Sequence, residues 1–198
     1  MTRRVKTLNA LGLDKTIDAQ LDAFVGLFEK WNASINLSAA RGRAEVDLHV
    51  IDSLHLVPHL ASTPGCTIQR VLDVGSGGGL PVVIAAICLP DISFTALEPV
   101  HKKHAFLRTA ARELKLPNLE AFARRVEDHQ ERDYDAATSR ATFDLDEWLT
   151  TGLSLVRPGG RAIGFEAVER HDLSVPVTRH PYSLDDRSRA IVVAQRHV

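Results

Sequence analysis

Apolar residues follow two periodicities along the chain, and the change between them divides it into two parts. Apolar positions three and four apart indicate an amphipathic helix over residues 14–32, and a second helix is predicted over Ala44–Leu60. Beyond Arg70, short apolar runs alternate with helical patterns, which is typical of a doubly wound, mostly parallel sheet. We therefore expect an α/β fold in one domain, with an N-terminal helical extension (residues 1–66) and a sheet-containing core (67–198).

The boundaries of the predicted elements follow from the same pattern. The predicted strands are Arg70–Gly75, Ile92–Glu98, Leu119–Arg125, Tyr134–Ser139 and Arg161–Glu166, and the helices between them are Pro81–Cys88, His101–Leu116 and Phe143–Val156. Two short strand-like runs, Val175–Thr178 and Ala190–Gln195, flank the turn-like P-Y-S-L-D-D and predict an antiparallel hairpin at one sheet edge. The stretch Trp31–Ser38 favours turns and caps, so it should end the first helix.

A glycine-rich stretch, Val71–Pro81, joins the first predicted strand to the next helix and reads V-L-D-V-G-S-G-G-G-L-P. Its regularly spaced glycines are Gly75, Gly77 and Gly79. Glycine tolerates positive φ and lets a ligand approach the backbone closely, so this loop suits a nucleotide. A dinucleotide loop has the spacing G-x-G-x-x-G, but here Leu80 stands at the third glycine's place. Together with Asp73, the G-x-G-x-G spacing resembles motif I of class I S-adenosylmethionine-dependent methyltransferases, which have a Rossmann-like core; the alternative is an ordinary strand-to-helix turn.

Polar residues at the ends of later strands suit the other parts of a nucleoside. Glu98 lies about 20 residues beyond the glycines, where an acidic side chain accepts hydrogen bonds from both ribose hydroxyls. Val126 and Glu127, after the third strand, are placed to line an adenine pocket. Arg140, after the fourth, can reach the cofactor or an RNA phosphate with its fixed fork of donors. Each of these charged residues alone is also compatible with a solvated surface position.

The residues after the fourth strand limit the reaction that such a site performs. Methylation of exocyclic amines typically goes with an N/D-P-P-Y/F cluster, and Ser139-Arg140-Ala141 has neither the prolines nor the aromatic residue. Carbon-5 methylation of pyrimidines needs a cysteine nucleophile, and neither Cys66 nor Cys88 is near this place in the sequence. Guanine N7 has a free lone pair at neutral pH, so its methylation needs no general base and depends mainly on positioning.

Composition and charge exclude several classes of protein. A chain of 198 residues with 44% hydrophobic residues can bury one sizeable core, and a net charge of -1 excludes a global basic surface. The two cysteines form no C-x-x-C pattern, and no apolar run reaches the length of a signal peptide or membrane span, so a cytoplasmic protein is expected. His55 and His59 have a spacing that metal ligands use, but Leu56 replaces the glutamate of H-E-x-x-H and Pro58 disturbs the helix. We expect surface or capping histidines there and no metal.

A set of motifs in unbroken order over residues 20–166 resembles one family, the RsmG (GidB) small-subunit ribosomal RNA methyltransferases. The motifs are W-N-x-x-I-N-L-S from Trp31, H-V-I-D-S-L from His49, the glycine-rich stretch, K-K-x-x-F-L from Lys102, L-x-L-P-N from Leu114, R-V-E from Arg125, Y-D from Tyr134, S-R-A from Ser139 and R-P-G-G from Arg157. The resemblance implies methyl transfer from S-adenosylmethionine to N7 of a guanosine in 16S rRNA, either naked or within the small ribosomal subunit. We expect the enzyme to be a monomer.

The resemblance also implies roles for individual residues. The cofactor contacts that it implies are Gly75, Leu80, the Val126-Glu127 backbone and Arg140. On the helix after the second strand, the candidates for RNA phosphate contacts are Lys102, Lys103 and Arg108, with a solvated helix face as the alternative. His49 and Asp52, one helical turn apart, join Arg140 as candidate positioning residues.

Some positions depart from the family pattern. Leu48 stands where the family usually has Lys or Arg, and Glu166-Ala167 stands where it usually has Lys-Gly, which removes positive charge near the expected RNA side. Val82 and Ile84 replace a usual Gly and Pro after the glycine-rich stretch. Two further hypotheses therefore stay open: a methyltransferase acting on another RNA or a small molecule, and a non-catalytic, cofactor-binding protein associated with the ribosome.

Overall fold

A computed structural model of the protein describes residues 2–61 and 67–197. Cys66, one of the two cysteines considered above, lies outside these residues. The helices are α1 (Arg3–Ala10), α2 (Asp18–Ile35), α3 (Arg43–Leu54), α4 (Val57–Leu60), α5 (Val82–Cys88), α6 (His101–Glu113) and α7 (Leu145–Leu155), with a short 3-10 helix at Lys15–Ile17. The strands are β1 (Arg70–Val74), β2 (Ser93–Leu97), β3 (Leu119–Phe122), β4 (Tyr134–Ser139), β5 (Val156–Glu166), β6 (Thr178–Leu184) and β7 (Arg187–Gln195).

The strands form one seven-stranded sheet in the order β3-β2-β1-β4-β5-β7-β6. The first five strands along the chain pair in parallel, and β7 pairs antiparallel with both β5 and β6. This arrangement confirms the predicted α/β class and its mostly parallel sheet. Strand order reverses between β1 and β4, and in open sheets of this kind ligands bind beyond the carboxyl ends of the strands at that point.

Apolar side chains cover both faces of the sheet. On one face, the N-terminal helices share a core with α5, α6 and the sheet, built around a cluster of aromatic rings. Phe24, Phe28 and Phe106 have ring centroids 5.8 to 6.3 Å apart, and Trp31 lies 5.7 Å from Phe106. On the other face, α7 contributes Trp148, which is 2% exposed. The predicted helical extension therefore packs directly on the sheet.

The N-terminal helices differ from their predicted boundaries. The helix predicted over 14–32 continues to Ile35, so Trp31–Ser38 does not break it at its start; the helix ends only where Asn36 adopts a φ of 52°. Helix α1 was not predicted at all. The helix predicted over Ala44–Leu60 is divided into α3 and α4, because the chain turns before Pro58, which sits in the first turn of α4.

The C-terminal hairpin is present, but its first strand lies later than predicted. The stretch P-Y-S-L that was expected to turn belongs to β6, and the turn is made by Asp185 and Asp186, both with positive φ. Asp tolerates this conformation better than most residues, which is why the tight turn falls there. In the described ranges, no helix combines the length and apolar character needed to cross a bilayer.

Candidate active site

A crevice of about 390 Å³ opens at the carboxyl ends of β1 and β4, where strand order reverses. It is lined by the glycine loop, by the turns after β2 and β4, and by the end of α2 with its following loop. The lining residues are Phe28, Leu37, Ser38, Gly75, Ser76, Gly77, Gly78, Leu80, Glu98, Pro99, Lys103, Arg140, Ala141 and Thr142. Five of these were predicted as cofactor-binding residues: Gly75, Gly77, Leu80, Glu98 and Arg140.

Glu98 holds the glycine loop through the main chain. The residue is 4% exposed, and its two carboxylate oxygens accept hydrogen bonds from the backbone N–H groups of Gly77 and Val100, each at 2.8 Å. A carboxylate oxygen has two lone pairs, so both oxygens can still accept a ribose hydroxyl. The sequence predicted the ribose role, and the structure adds that the same group fixes the loop beneath it.

Glycine is required at different positions of the loop for different structural reasons. Gly75, Gly77 and Gly79 all have positive φ, between 52° and 79°. A Cβ atom at Gly77 would meet only a backbone oxygen at 3.8 Å, whereas at Gly79 it would lie 2.5 Å from Val83. Gly79 is absent from the crevice lining. Gly77 thus leaves space on the ligand side, and Gly79 allows close packing of α5.

Gly78 was not singled out in the sequence, yet it determines how the crevice is closed on one side. A Cβ atom there would lie 2.5 Å from the Phe28 ring of α2. Behind Phe28, the Asn32 side chain accepts a hydrogen bond from Ser38 N at 3.0 Å and donates one to Ala40 O at 2.9 Å. These bonds hold Leu37 and Ser38 at the crevice, which explains locally why the W-N-x-x-I-N-L-S motif has its amide side chain.

Asp73 is buried beneath the loop, at 1% exposure. One carboxylate oxygen accepts a hydrogen bond from the Thr138 hydroxyl at 2.6 Å, and the other has no hydrogen-bond partner within the part of the chain that is described. Removal from water disfavours the charged form, so burial raises the pKa of Asp73 to about 6. Asp73 therefore links β1 to β4 at the point where strand order reverses.

A second, mainly apolar pocket of about 160 Å³ adjoins the crevice through Gly75, Pro99 and Thr142. Val126 and Glu127, the predicted adenine contacts, both line it. Its remaining lining residues are Val74, Leu97, Arg124, Arg125 and Phe143. The two residues predicted to line an adenine pocket therefore share one cavity beside the crevice.

Arg140 reaches the opposite side of the crevice and is held there by the helical extension. Its Nη1 lies 3.0 Å from Asp52 Oδ2 and 3.5 Å from the His49 carbonyl oxygen, and its guanidinium lies 5.8 Å from the Phe165 ring centre. The structure thus brings together the three candidate positioning residues. Burial lowers the pKa of Arg140. Burial also lowers the pKa of His49, and the positive charge of the nearby Arg140 lowers it further.

The three candidate RNA contacts are separated by the structure. Lys103 lines the crevice itself, close to the glycine loop. Lys102 is exposed on α6, and Arg108 borders a different groove, beside the edge strand β3. Their positions therefore indicate that the three residues do not share a single role.

A third cavity, of about 230 Å³, lies between the ends of β4 and β5 and shares Ala141 with the crevice. We call it the β4–β5 pocket. Its lining combines aromatic rings, two carboxylates and an arginine: Ser139, Ala141, Phe143, Asp144, Leu145, Trp148, Phe165, Glu166, Ala167, Val168 and Arg170. Glu166, which departs from the family pattern, is 5% exposed and pairs with Arg179 at 2.8 Å. Its negative charge is therefore compensated inside the protein.

The two histidines with metal-like spacing pack against the C-terminal hairpin, and His55 is also the C-cap residue of α3, as expected for a capping histidine. His55 stacks on Tyr182 with ring centroids 4.0 Å apart, and His59 lies 4.3 Å from His180. Burial and the neighbouring His180 lower the pKa of His59 to about 4. Within residues 2–61 and 67–197, no group of three or more His, Cys, Asp or Glu side chains could hold a metal ion.

Residues 17–175 match the sequence profile of the family described as rRNA small subunit methyltransferase G, or GidB. The chain belongs to this family. It is 40% identical over 154 residues to the ribosomal RNA small subunit methyltransferase G of Neisseria meningitidis serogroup A, which covers 76% of this chain and 72% of that protein. Its identity to the protein of the same name from Burkholderia cenocepacia is 41% over 168 residues, covering 82% and 72% of the two chains.

Solved structures with the same fold are methyltransferases. The magnesium protoporphyrin IX methyltransferase of Synechocystis, solved with bound S-adenosylmethionine, superposes with a TM-score of 0.63 at 14% identity, covering 85% of this chain and 90% of that one. The S-adenosylmethionine-dependent methyltransferase SibL superposes with a TM-score of 0.63 at 18% identity, covering 86% and 62%. These findings confirm the predicted class I methyltransferase fold.

The residues of the crevice fit the cofactor that this class uses, S-adenosylmethionine. Glu98 has lone pairs left for ribose hydroxyls. Leu97 and Val126 offer an apolar surface for adenine, and Gly77 leaves open space beside the loop. Lys103 and Arg140 are the cations of the crevice lining and suit a carboxylate. The protein is thus an S-adenosylmethionine-dependent methyltransferase.

Proposed function

We propose that this protein transfers a methyl group to N7 of a guanosine in 16S rRNA of the small ribosomal subunit. The observation that carries the proposal is the meeting of three family motifs at one crevice. The glycine loop forms its floor, and Asp52 of H-V-I-D-S-L pairs with Arg140 of S-R-A at its side. Motifs far apart in the sequence thus build one site, in a chain whose relatives are named as ribosomal RNA methyltransferases.

The cofactor supplies an electrophilic methyl group on a sulfonium ion, and the protein has to hold and orient both reactants. We assign the ribose to Glu98, the adenine to the pocket of Val126 and Glu127, and the carboxylate end to Arg140. Arg140 lines the crevice but not the adenine pocket, so it lies towards the other end of the site. The loop glycines let the main chain approach the ligand closely.

The target base would enter the β4–β5 pocket, which meets the crevice at Ala141. Phe143, which is half-buried and packs on Trp148 with ring centroids 5.9 Å apart, provides an aromatic surface of the kind on which unpaired bases stack. In an A-form RNA helix, guanine N7 lies in a deep, narrow major groove that protein side chains cannot enter, so we expect the nucleotide to be presented unpaired. The pocket therefore supports an unpaired nucleotide of rRNA as substrate.

The state of the carboxylates supports N7 as the acceptor atom. At the crevice and the β4–β5 pocket, Glu98 accepts two backbone hydrogen bonds, while Asp144 and Glu166 form ion pairs with Arg170 and Arg179. None of these three carboxylates is poised to take a proton from a substrate. Guanine N7 needs no deprotonation, so positioning within roughly 3 to 3.5 Å of the methyl carbon suffices.

The proposal is tested by incubating the protein with labelled cofactor and either naked 16S rRNA or small subunits, and then mapping methylated guanosines by borohydride and aniline cleavage. One cleavage site in 16S rRNA is the expected result. Label on other RNA or on small molecules would replace the proposed substrate, and cofactor binding without any transfer would favour a non-catalytic protein. The pairing of Glu166 with Arg179 compensates the charge of one of the two departures, Leu48 and Glu166, that motivate a different substrate.

We further propose that residues 1–198 act as one monomeric domain in the cytoplasm. The shared core of the helical extension and the sheet supports a single domain. A ribosomal substrate is consistent with the cytoplasm. Of the RNA contacts, we retain Lys102 and Arg108 as exposed candidates, and we assign Lys103 to the crevice instead.

A further inference from the structure

A buried carboxylate behind the crevice joins three parts of the chain that are distant in sequence. Asp52 of α3 is 3% exposed. Its Oδ2 accepts a hydrogen bond from Arg140 at 3.0 Å, and its Oδ1 accepts one from the Tyr182 hydroxyl of β6 at 2.7 Å. Each carboxylate oxygen therefore has its own donor, one at the crevice and one on the C-terminal hairpin.

We propose that Tyr182 is a positioning residue for cofactor binding, because its hydroxyl orients Asp52 and Asp52 in turn holds Arg140 at the crevice. Tyr182 is not part of the crevice lining, so it acts only through these two side chains. The inference uses the cofactor half of the proposed function and does not depend on which RNA is methylated.

Competition between two guanidinium groups explains why the hydroxyl matters. Arg189, paired with Tyr182 across the hairpin, has its Nη1 3.9 Å from Asp52 Oδ1, on the side where the tyrosine hydroxyl already donates. Its Nε is buried without a hydrogen-bond partner in the described part of the chain. Without the hydroxyl, Oδ1 is open to Arg189, and the carboxylate can turn away from Arg140. By occupying Oδ1, the tyrosine hydroxyl thus holds the Asp52 carboxylate in the orientation in which its Oδ2 bonds Arg140.

The ring of Tyr182 is held independently of its hydroxyl. It stacks on His55 with an interplanar angle of 16° and ring centroids 4.0 Å apart. Tyr182→Phe therefore removes the hydrogen bond to Asp52 and keeps the ring and its stacking partner. This substitution separates positioning from packing.

The test measures binding of two ligands by calorimetry, without RNA. S-Adenosylmethionine carries the carboxylate that we assign to Arg140, whereas 5′-methylthioadenosine lacks the amino-acid part. In Tyr182→Phe, we expect the Kd for S-adenosylmethionine to rise about fivefold, the size of a coupling between contacting residues, and the Kd for 5′-methylthioadenosine to stay unchanged. An unchanged Kd for both ligands, or an equal rise for both, would overturn the proposal.

Two further variants distinguish positioning from loss of stability. Leu184→Ala, on the same strand, removes a side chain that is 4% exposed, so it should lower the melting temperature more than Tyr182→Phe while leaving both Kd values unchanged. In an Arg140→Met background, Tyr182→Phe should have no further effect on the Kd for S-adenosylmethionine, because the positive charge that it positions is gone. Additive effects in the double variant would contradict the proposed route through Arg140. Since none of these measurements uses RNA, a failure of rRNA methylation would leave their result intact.

Discussion

The two sides of the cofactor crevice are built in different ways. One side is main chain: the loop from Gly75 to Leu80 is held by Glu98, which lies 21 residues from its partner Gly77. The other side is a side-chain network, in which Arg140 and Tyr182 contact Asp52 across 88 and 130 residues of sequence. The first side needs only a strand, a turn and the next strand, whereas the second requires the helical extension, the sheet and the hairpin to be folded together. The difference predicts which substitutions affect binding alone and which affect the whole fold.

The largest effect is expected from Asp52→Ala, because it acts on the network that depends on the complete fold. It leaves Arg140, whose side chain is 15% exposed, without its carboxylate partner. Removing one member of a buried ion pair costs about 3 to 5 kcal/mol. We expect a loss of this size in the free energy of unfolding, measured with urea, together with a marked loss of cofactor binding.

Asp22→Ala is the matched control for this substitution. Asp22 also contacts two arginines, Arg4 and Arg43, but its side chain is 53% exposed, and the buried Arg4 keeps Asp18 and Asp47 as partners. Exposed ion pairs contribute about 0 to 1 kcal/mol, so the control should unfold almost like the wild type. If both variants lost equal stability, the contrast between the buried carboxylate of Asp52 and the exposed carboxylate of Asp22 would be wrong.

The main-chain side is tested by Gly77→Val, which should strongly weaken cofactor binding and largely spare the fold. The new side chain would extend into the space beside the loop, since nothing except a backbone oxygen at 3.8 Å lies near a Cβ there. We expect the Kd for S-adenosylmethionine to rise at least about a hundredfold, or about 3 kcal/mol. Gly12→Val controls for backbone strain, because Gly12 also has a positive φ, of 68°, and nothing within 4 Å of a Cβ. Equal cofactor binding by the two variants would disprove the assignment of the loop.

Asp73 provides a test at the junction between the two sides, through the pH dependence of stability. Burial raises its pKa to about 6 from 3.8, so the folded protein retains a proton that the unfolded chain has lost. The contribution of this carboxyl to stability is thus complete below pH 3.8 and falls as pH rises to about 6. Asp73→Asn does not ionise, so its stability relative to the wild type should increase by about 2 to 3 kcal/mol between pH 4 and pH 7.5.

This comparison uses the change with pH, so any constant cost of the unpaired amide cancels. Asp22→Asn should show the opposite sign, because Arg4 and then Arg43 lower the pKa of Asp22 and stabilise its charged form in the folded state. If stability changed with pH in the same way for wild type and Asp73→Asn, the raised pKa of the buried Asp73 carboxyl would be contradicted.

The same contrast explains what the sequence could and could not predict. The glycine loop, Glu98 and the Val126-Glu127 turn lie where local patterns placed them, since a glycine-rich turn after an apolar strand specifies its own conformation. The partners of Asp52 could be recognised only as motifs, because no local periodicity reports a contact 88 residues away. Tyr182 was missed entirely, since the stretch that contains it has the composition of a turn but pairs as an edge strand.

The smallest effects are expected from two neighbouring lysines, to which we assign different ligands. Lys103 lines the crevice and Lys102 is exposed on α6. Lys103→Ala should weaken S-adenosylmethionine binding about threefold, within the range for one partly solvated ion pair. Lys102→Ala should leave that binding unchanged but lower the slope of log K for rRNA against log salt by about 0.7 to 0.9, the value for one phosphate contact. Each variant is the control for the other, because both remove one positive charge from the same turn of α6. If both changed only the salt dependence of RNA binding, Lys103 would belong to the RNA surface and the carboxylate of the cofactor would depend on Arg140 alone.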